Sequence, residues 1–339
     1  LRAYTGTAVT TTGSDGIFYS SQVSSANPPN GIIDRFGATT GSIIFNGTSR
    51  NVVFTGQWGP GKMEAVVFFR LDAGNTATLQ TSIKAVRVAV ETGIVNMGTN
   101  TIFTEVRTGI AAGATVISAN TGSSGSNCVF GGELASQPAQ GLELSGKLVL
   151  TGATPFIQAA VYNIYPGSTI EYAGTGQNFV NKSLAGTASL TTYANLTLSG
   201  SGNKTPLGNF EVKENILISG SSVLVMGNRT AIIRGNWTSY GQAGLSEGTS
   251  TINFDSTVAH SINTTGGENF YIMRKSNSGT LTLNSNVNIV AGGNLTMQSG
   301  VIDANANTFS GTATSAFNMS GGTIRLAKLN TTLPEFQVT

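Results

Sequence analysis

The chain has 339 residues and a net charge of +2, and only 10% of its residues are charged, well below the roughly 25% usual in globular domains. A hydrophobic content of 39% excludes simple disorder, because there is apolar surface to bury. The 18 Lys and Arg are scattered, with Arg274-Lys275 the one adjacent pair, so no clustered basic face for nucleic acid is expected. No apolar run approaches the ~20 residues of a membrane helix.

Residues 1–40 carry short strand signals at Thr7–Thr12 and Ile17–Ser20, then a loop through Pro28-Pro29-Asn30-Gly31, and are expected to cap or lead into the body that follows. From Gly41 onward, brief runs of Leu, Ile, Val and Phe alternate with Thr, Ser and Asn, and Gly, Asn or Pro punctuates every few residues. Alternation at period two places one set of side chains on each face of a strand. Strands are predicted at Val52–Thr55, Met63–Leu71, Thr76–Leu79, Ala85–Val90, Ile94–Met97 and Thr101–Val106. The apolar segment Ala65–Phe69 is expected to be buried on both faces. Lys84–Glu91 has a helical alternative, but Val86, Val88 and Val90 alternate strictly and β-branched residues favour strands.

The most regular text lies between Tyr193 and Trp237. Five strands are predicted there: Asn195–Leu198, Phe210–Val212, Ile216–Ile218, Val223–Met226 and Ala231–Ile233. Similar text recurs along the chain. Ile170, Tyr172 and Thr175 in STIEYAGT match Ile252, Phe254 and Thr257 in STINFDST and Ile43, Phe45 and Thr48 in GSIIFNGT, while GNLTMQSG from Gly293 restates ENILISGS from Glu214. These matches imply degenerate copies of a unit of about 80 residues, or three to four rungs of a stacked fold. The first copy is longer, which implies an insertion at about 104–167.

Many short strands with long-period repeats predict an all-β chain: a right-handed parallel β-solenoid over residues 41–339, with rungs of roughly 20–30 residues. Leu, Ile, Val and Phe would stack inside, and Asn or Thr at the corners. The alternative is a string of antiparallel β-sandwich domains, which would show a fixed length near 100 residues and aromatic core markers.

Five segments carry a resemblance: YANLTLSGSGNKT at Tyr193, RGNWTSYG at Arg234, GTSTINFDST at Gly248, LTLNSNVNIVAGGNLTMQSGVIDANANT at Leu281 and GGTIRLAKLNTTLPEF at Gly321. This text resembles the long repetitive surface proteins that Bacteroidota bacteria secrete through the type IX system, of which the giant gliding-motility adhesins are an example. The resemblance covers chiefly residues 165–339. It implies an extracellular fibre or stalk on the outer face of the outer membrane. The implied partners are the secretion machinery during export, surface glycans or a substratum, and further segments of the same long chain or other copies of it. The family's C-terminal sorting domain is not present in the text. The chain is therefore expected to be a segment of something longer, with the rung from Gly321 continuing into further repeats or pairing with a neighbour.

Catalysis is not expected. Glycoside hydrolysis needs two carboxylates facing one bond. Glu211 and Glu214 lie three apart, and odd spacing puts them on opposite faces of a strand; no spacing selects a distant pair such as Glu171 with Asp255. His260 is the only histidine and reads as a turn residue; Cys128 is the only cysteine and reads as a small inward hydrophobe. No cofactor or metal motif is present, and the sequons at Asn46, Asn195, Asn236, Asn263 and Asn330 follow from an Asn- and Thr-rich composition. The alternative to a structural role is a carbohydrate-binding or carbohydrate-cleaving solenoid, with the insertion folded over one flank. Phe156, Tyr162, Tyr165 and Tyr172 would then offer sugar-stacking rings, against the plainer reading that they stack within the core.

Overall fold

A computed structural model describes residues 8–11, 15–19, 42–55, 66–120, 141–155, 157, 159, 161–179, 189–241 and 244–327. The described residues contain strands and turns and no helix, and every strand pair among them is parallel. The fold is a right-handed parallel β-solenoid, and antiparallel sandwich domains are thereby ruled out. Two compact units divide the chain: Leu1–Thr169 with Ser183–Ser189, and Ile170–Lys182 with Leu190–Thr339.

In the first unit the chain alternates between two sheets. One contains Ala8–Thr11, Ser42–Gly47, Val66–Leu71, Ile83–Thr92, Ile102–Ile110, Gly141–Leu144 and Val161–Ile164. The other contains Asp15–Tyr19, Arg50–Thr55, Thr76–Leu79, Ile94–Gly98, Thr115–Ser118 and Lys147–Leu150. Each strand pairs with the strand one coil later, so inward residues form columns. Phe45, Phe69, Val90, Ile110 and Leu144 are successive partners, and all are buried. Phe45 and Phe69 stack with ring centroids 5.0 Å apart. Ala77, Val95, Val116 and Leu148 form the facing column. Burying such columns is what holds a coil to its neighbour, at about 25 cal/mol per Å² of apolar area.

The structure differs from two sequence expectations and agrees with the strand signals near the start of the chain. The proposed insertion contains coils of the solenoid itself, since Gly141 is in register with Arg107 on one side and Val161 on the other; its residues 121–140 lie outside the described set. The strand signals at Thr7–Thr12 and Ile17–Ser20 correspond to Ala8–Thr11 and Asp15–Tyr19, which pair in register with Ser42–Gly47 and Arg50–Thr55, while the Pro28-Pro29 loop lies outside the described residues. The strand Val66–Leu71 is not buried on both faces. Val67 and Phe69 point inward, whereas Phe68 is half-buried and lies under the Arg70 guanidinium, 4.9 Å from the ring centroid.

The second unit has three sheets. The first holds Thr169–Tyr172, Asn195–Leu198, Ile216–Ile218, Trp237–Ser239, His260–Thr264, Thr280–Leu283, Val301–Asp303 and Thr323–Arg325. The second holds Thr175–Phe179, Ser201–Pro206, Ser221–Val225 and Gly244–Ser246. The third holds Thr192–Tyr193, Phe210–Val212, Thr230–Ile233, Thr251–Phe254, Glu268–Lys275, Val287–Met297 and Phe309–Gly311, with Ala316–Met319 also pairing along Val287–Met297. Leu196, Ile216, Trp237, Ile262 and Leu283 make one fully buried column.

The unit of repetition is one coil. Asn195 and Asn215 lie 20 residues apart and Asn215 and Asn236 21 apart, and each pair touches. The longer text matches join strands of different sheets: Ile170 belongs to the first sheet and Ile252 to the third, and ENILISGS and GNLTMQSG are split in the same way. A buried strand followed by a glycine turn reads alike on any face, so these matches record local structure and not a recurring block. One strand was hidden from pattern reading altogether. Ser201–Pro206, SGNKTP, has no apolar alternation, and its inward positions are Lys204 and Pro206.

Candidate functional site

The second unit concentrates the polar chemistry. At the corner before the first sheet, an asparagine ladder climbs from coil to coil. Asn195 Oδ1 accepts from Asn215 through both its Nδ2 (3.0 Å) and its backbone N–H (3.1 Å). Asn215 Oδ1 accepts in the same way from Asn236, at 2.9 and 3.1 Å. Asn236 Oδ1 accepts from the Ser261 backbone N–H at 2.9 Å and from its hydroxyl at 3.0 Å. An Asn carboxamide suits this position because it accepts through oxygen and donates through nitrogen at once. At the foot, Asn195 Nδ2 donates to Glu214 Oε2 at 2.5 Å. The sequon residues Asn195 and Asn236 are thus engaged in stacking.

On the third sheet, Arg234 bridges Glu211 and Asp255, each at 2.6 Å. Glu171 accepts from the Ser199 hydroxyl. The acids weighed in the sequence are thus held separately: Glu171 by Ser199, Asp255 by Arg234 with Ser276 and Asn277. Among the described residues no group of three or more His, Cys, Asp and Glu is placed to hold a metal.

Inside the columns, four ionisable side chains occupy places otherwise filled by hydrophobes. Lys204 stands in register between Gln177 and Leu224 and has no exposed surface. Its ammonium donates to the Gly174 carbonyl and to Gln177 Oε1, the latter at 2.7 Å. Burial lowers its pKa to about 8, with Glu171 acting the other way. Lys275 sits in register between Phe254 and Met297 and donates to the Asn277 carbonyl; burial lowers its pKa too, against the pull of Asp255. Glu268 accepts from the Trp237 indole N–H at 3.1 Å, and burial raises its pKa to about 7.

His260, expected in a turn, starts the strand His260–Thr264 and is buried. The correction follows from register: it pairs with Leu281, an inward residue, and its ring stacks on Phe254 at 6.2 Å. Its Nδ1 lies 3.0 Å from the Val258 carbonyl oxygen, and burial pushes its pKa below the ordinary value.

The four aromatic candidates separate. Phe156 lies outside the described residues, as does Cys128. Tyr162 is half-buried, and its hydroxyl donates to the Ile157 carbonyl (2.8 Å) and accepts from the Ala159 N–H (3.2 Å). Tyr165 is 44% exposed. Tyr172 is completely buried, tilted against Phe179 at 5.3 Å, with its hydroxyl 3.4 Å from that of Tyr193. Tyr172 therefore belongs to an aromatic cluster with Phe179, Tyr193 and Phe210 and has no ring face open to a sugar. The buried lysines had escaped sequence reading, although one signal was present: Met273 faces inward, and period two then turns Lys275 inward as well.

No protein-family model, curated protein or solved structure matches the chain.

Proposed function

We propose that the chain is a non-catalytic structural and adhesive segment of a secreted bacterial cell-surface fibre or stalk, with gliding-motility adhesion as its specific setting. The observation that carries this reading is the continuous ladder Asn195–Asn215–Asn236–Ser261, in which surface side chains bind one another from coil to coil. Such ladders template each coil on the one before it. A parallel stack with paired backbone resists local opening and proteolysis, the property a load-bearing surface segment needs. The low charge supports the same reading, because amides and hydroxyls take the place of ion pairs on the outer surface. The partners would be surface glycans or a solid substratum.

The test is made on the source cells. Protease shaving of intact cells should release peptides of this chain, and deleting its gene should lower attachment to glass. A chain protected in intact cells and degraded only after lysis would overturn the reading.

One observation favours carbohydrate binding as a second reading: Tyr165 and Tyr240 are 44% and 54% exposed, so their rings could stack on a sugar. A glycan array separates the two, since the structural reading expects no signal that Tyr165→Ala or Tyr240→Ala removes.

A further inference from the structure

Gln177 and Lys204 face each other across two consecutive coils, as direct register partners in the second sheet of the second unit. They are 27 residues apart in sequence and their polar ends meet at 2.7 Å. Both are buried, Lys204 completely and Gln177 to 1% exposure. The carboxamide oxygen of Gln177 receives two donors, the Lys204 ammonium and the Gly174 backbone N–H, the second at 2.9 Å. Two donors on one atom identify it as oxygen. The Gly174 N–H stays on that oxygen when the amine is neutral, as a donor aimed at a developing oxyanion does in acyl transfer. Glu171 acts electrostatically on Lys204 and is held by the Ser199 hydroxyl. An amine and a carbonyl oxygen thus meet where water is excluded, and fixed proximity of this kind replaces a bimolecular encounter.

We propose that Lys204 and Gln177 become joined by an isopeptide bond, a covalent tie between two coils. The Lys204 ammonium first loses one proton to solvent, giving the neutral amine that burial favours. Its Nζ then attacks Cδ of Gln177, and the C=O electron pair moves onto Oε1, beside the Gly174 N–H. As the C=O bond re-forms, the Cδ–Nε2 bond breaks. Nε2 takes a second proton directly from Nζ and leaves as ammonia, which picks up the first proton in solvent as ammonium. One C–N bond forms and one breaks, nothing is oxidised or reduced, and no cofactor takes part.

The reaction removes a buried positive charge from a place where its desolvation is unfavourable. Burial already favours the neutral amine that attacks. A tie across coils would also keep the loop between them closed in the unfolded chain, as a disulfide does. The bond does not depend on where the chain acts, so it can fail while the surface-fibre reading stands, and the reverse.

The test is intact-mass measurement and tryptic mapping of the full chain. The expected mass is about 17 Da below that of the sequence, with a branched peptide joining Gln177 to Lys204 and no cleavage after Lys204. Lys204→Met and Gln177→Leu should each restore the full mass. Recovery of Gln177 and Lys204 in separate linear peptides at full mass would overturn the proposal. So would a loss of ammonia that persists in Lys204→Met, which would place it elsewhere, for example at the Asn46-Gly47 pair. If a variant does not fold, the peptide map of the unaltered chain still decides.

Discussion

Trp237 donates its indole N–H to Glu268 Oε2 across 3.1 Å, inside the column that stacks the second unit. Glu268 is only 8% exposed, and burial raises its pKa from the ordinary 4.5 to about 7. The fold therefore holds a proton there that the unfolded chain releases. Stability from this group is present at low pH, is lost as pH rises from about 4.5 to about 7, and stays lost above that. The shift corresponds to about 3 kcal/mol. Urea unfolding of Glu268→Gln should lack this slope, and the difference curve isolates it from His260, whose lowered pKa makes stability fall below its ordinary pKa instead. Identical pH slopes in the two proteins would contradict the assignment.

Asn215 is the middle rung of the asparagine ladder, accepting from Asn236 and donating to Asn195. Asn215→Ala removes both sets of contacts at a partly hydrated corner. Each net hydrogen bond is worth roughly 1 kcal/mol, less where water can replace it, so a loss of about 1–2 kcal/mol is expected. Lys213→Ala, an exposed neighbour, should stay within about 0.5 kcal/mol. Equal effects of the two substitutions on urea midpoints would show that the ladder contributes nothing.

Gly220 turns the chain with φ +70°, and a Cβ there would lie 2.5 Å from the carbonyl oxygen of Gly200, one coil earlier. That oxygen also accepts the Ser221 N–H, so it cannot retreat without breaking the ladder. Gly220→Ala combines left-handed strain with a backbone clash and should cost about 2–4 kcal/mol. By contrast Gly113, also at positive φ, has open space around it, and Gly113→Ala should cost only about 1 kcal/mol. Thermal melts of the pair distinguish strain alone from strain with coil-to-coil contact.

Tyr172 and Tyr165 offer the sharpest contrast among the aromatic candidates. Tyr172→Ala opens a cavity among Phe179 and Tyr193 and should cost about 3–5 kcal/mol. Tyr165→Ala alters a 44% exposed ring and should stay within about 0.5 kcal/mol. Tyr172→Phe keeps the ring and loses only a weak hydroxyl contact, so it should lie near the unaltered protein. If Tyr172→Ala left the urea midpoint unchanged, the core assignment would fail.

Much of the fold was legible from local text. Asn195–Leu198, Phe210–Val212 and Ile216–Ile218 match their predicted bounds, because strict alternation and glycine punctuation act within a few residues and need no knowledge of the neighbouring coil. The parallel stacking of many short strands also followed from the pattern, as did Val88 and Val90 in a strand and not a helix. What the pattern misjudged was the length of the repeat. Strand-plus-turn text recurs on every face, and only the ladder shows that Ile170 and Ile252 lie in different sheets.

The buried chemistry was decided by tertiary structure alone. Lys204 looks like a solvent-facing residue in a glycine-rich turn. It is buried because Ser201–Pro206 pairs with Thr175–Phe179 and sets it opposite Gln177. His260 likewise becomes a core residue through its register with Leu281. Tyr165 and Tyr172 are equivalent aromatics in one stretch of sequence, yet one is exposed and the other sealed. Side-chain periodicity assigns residues to two faces of a strand, but which face meets the core depends on partners some twenty residues away, and that pairing exists only once the coils have stacked.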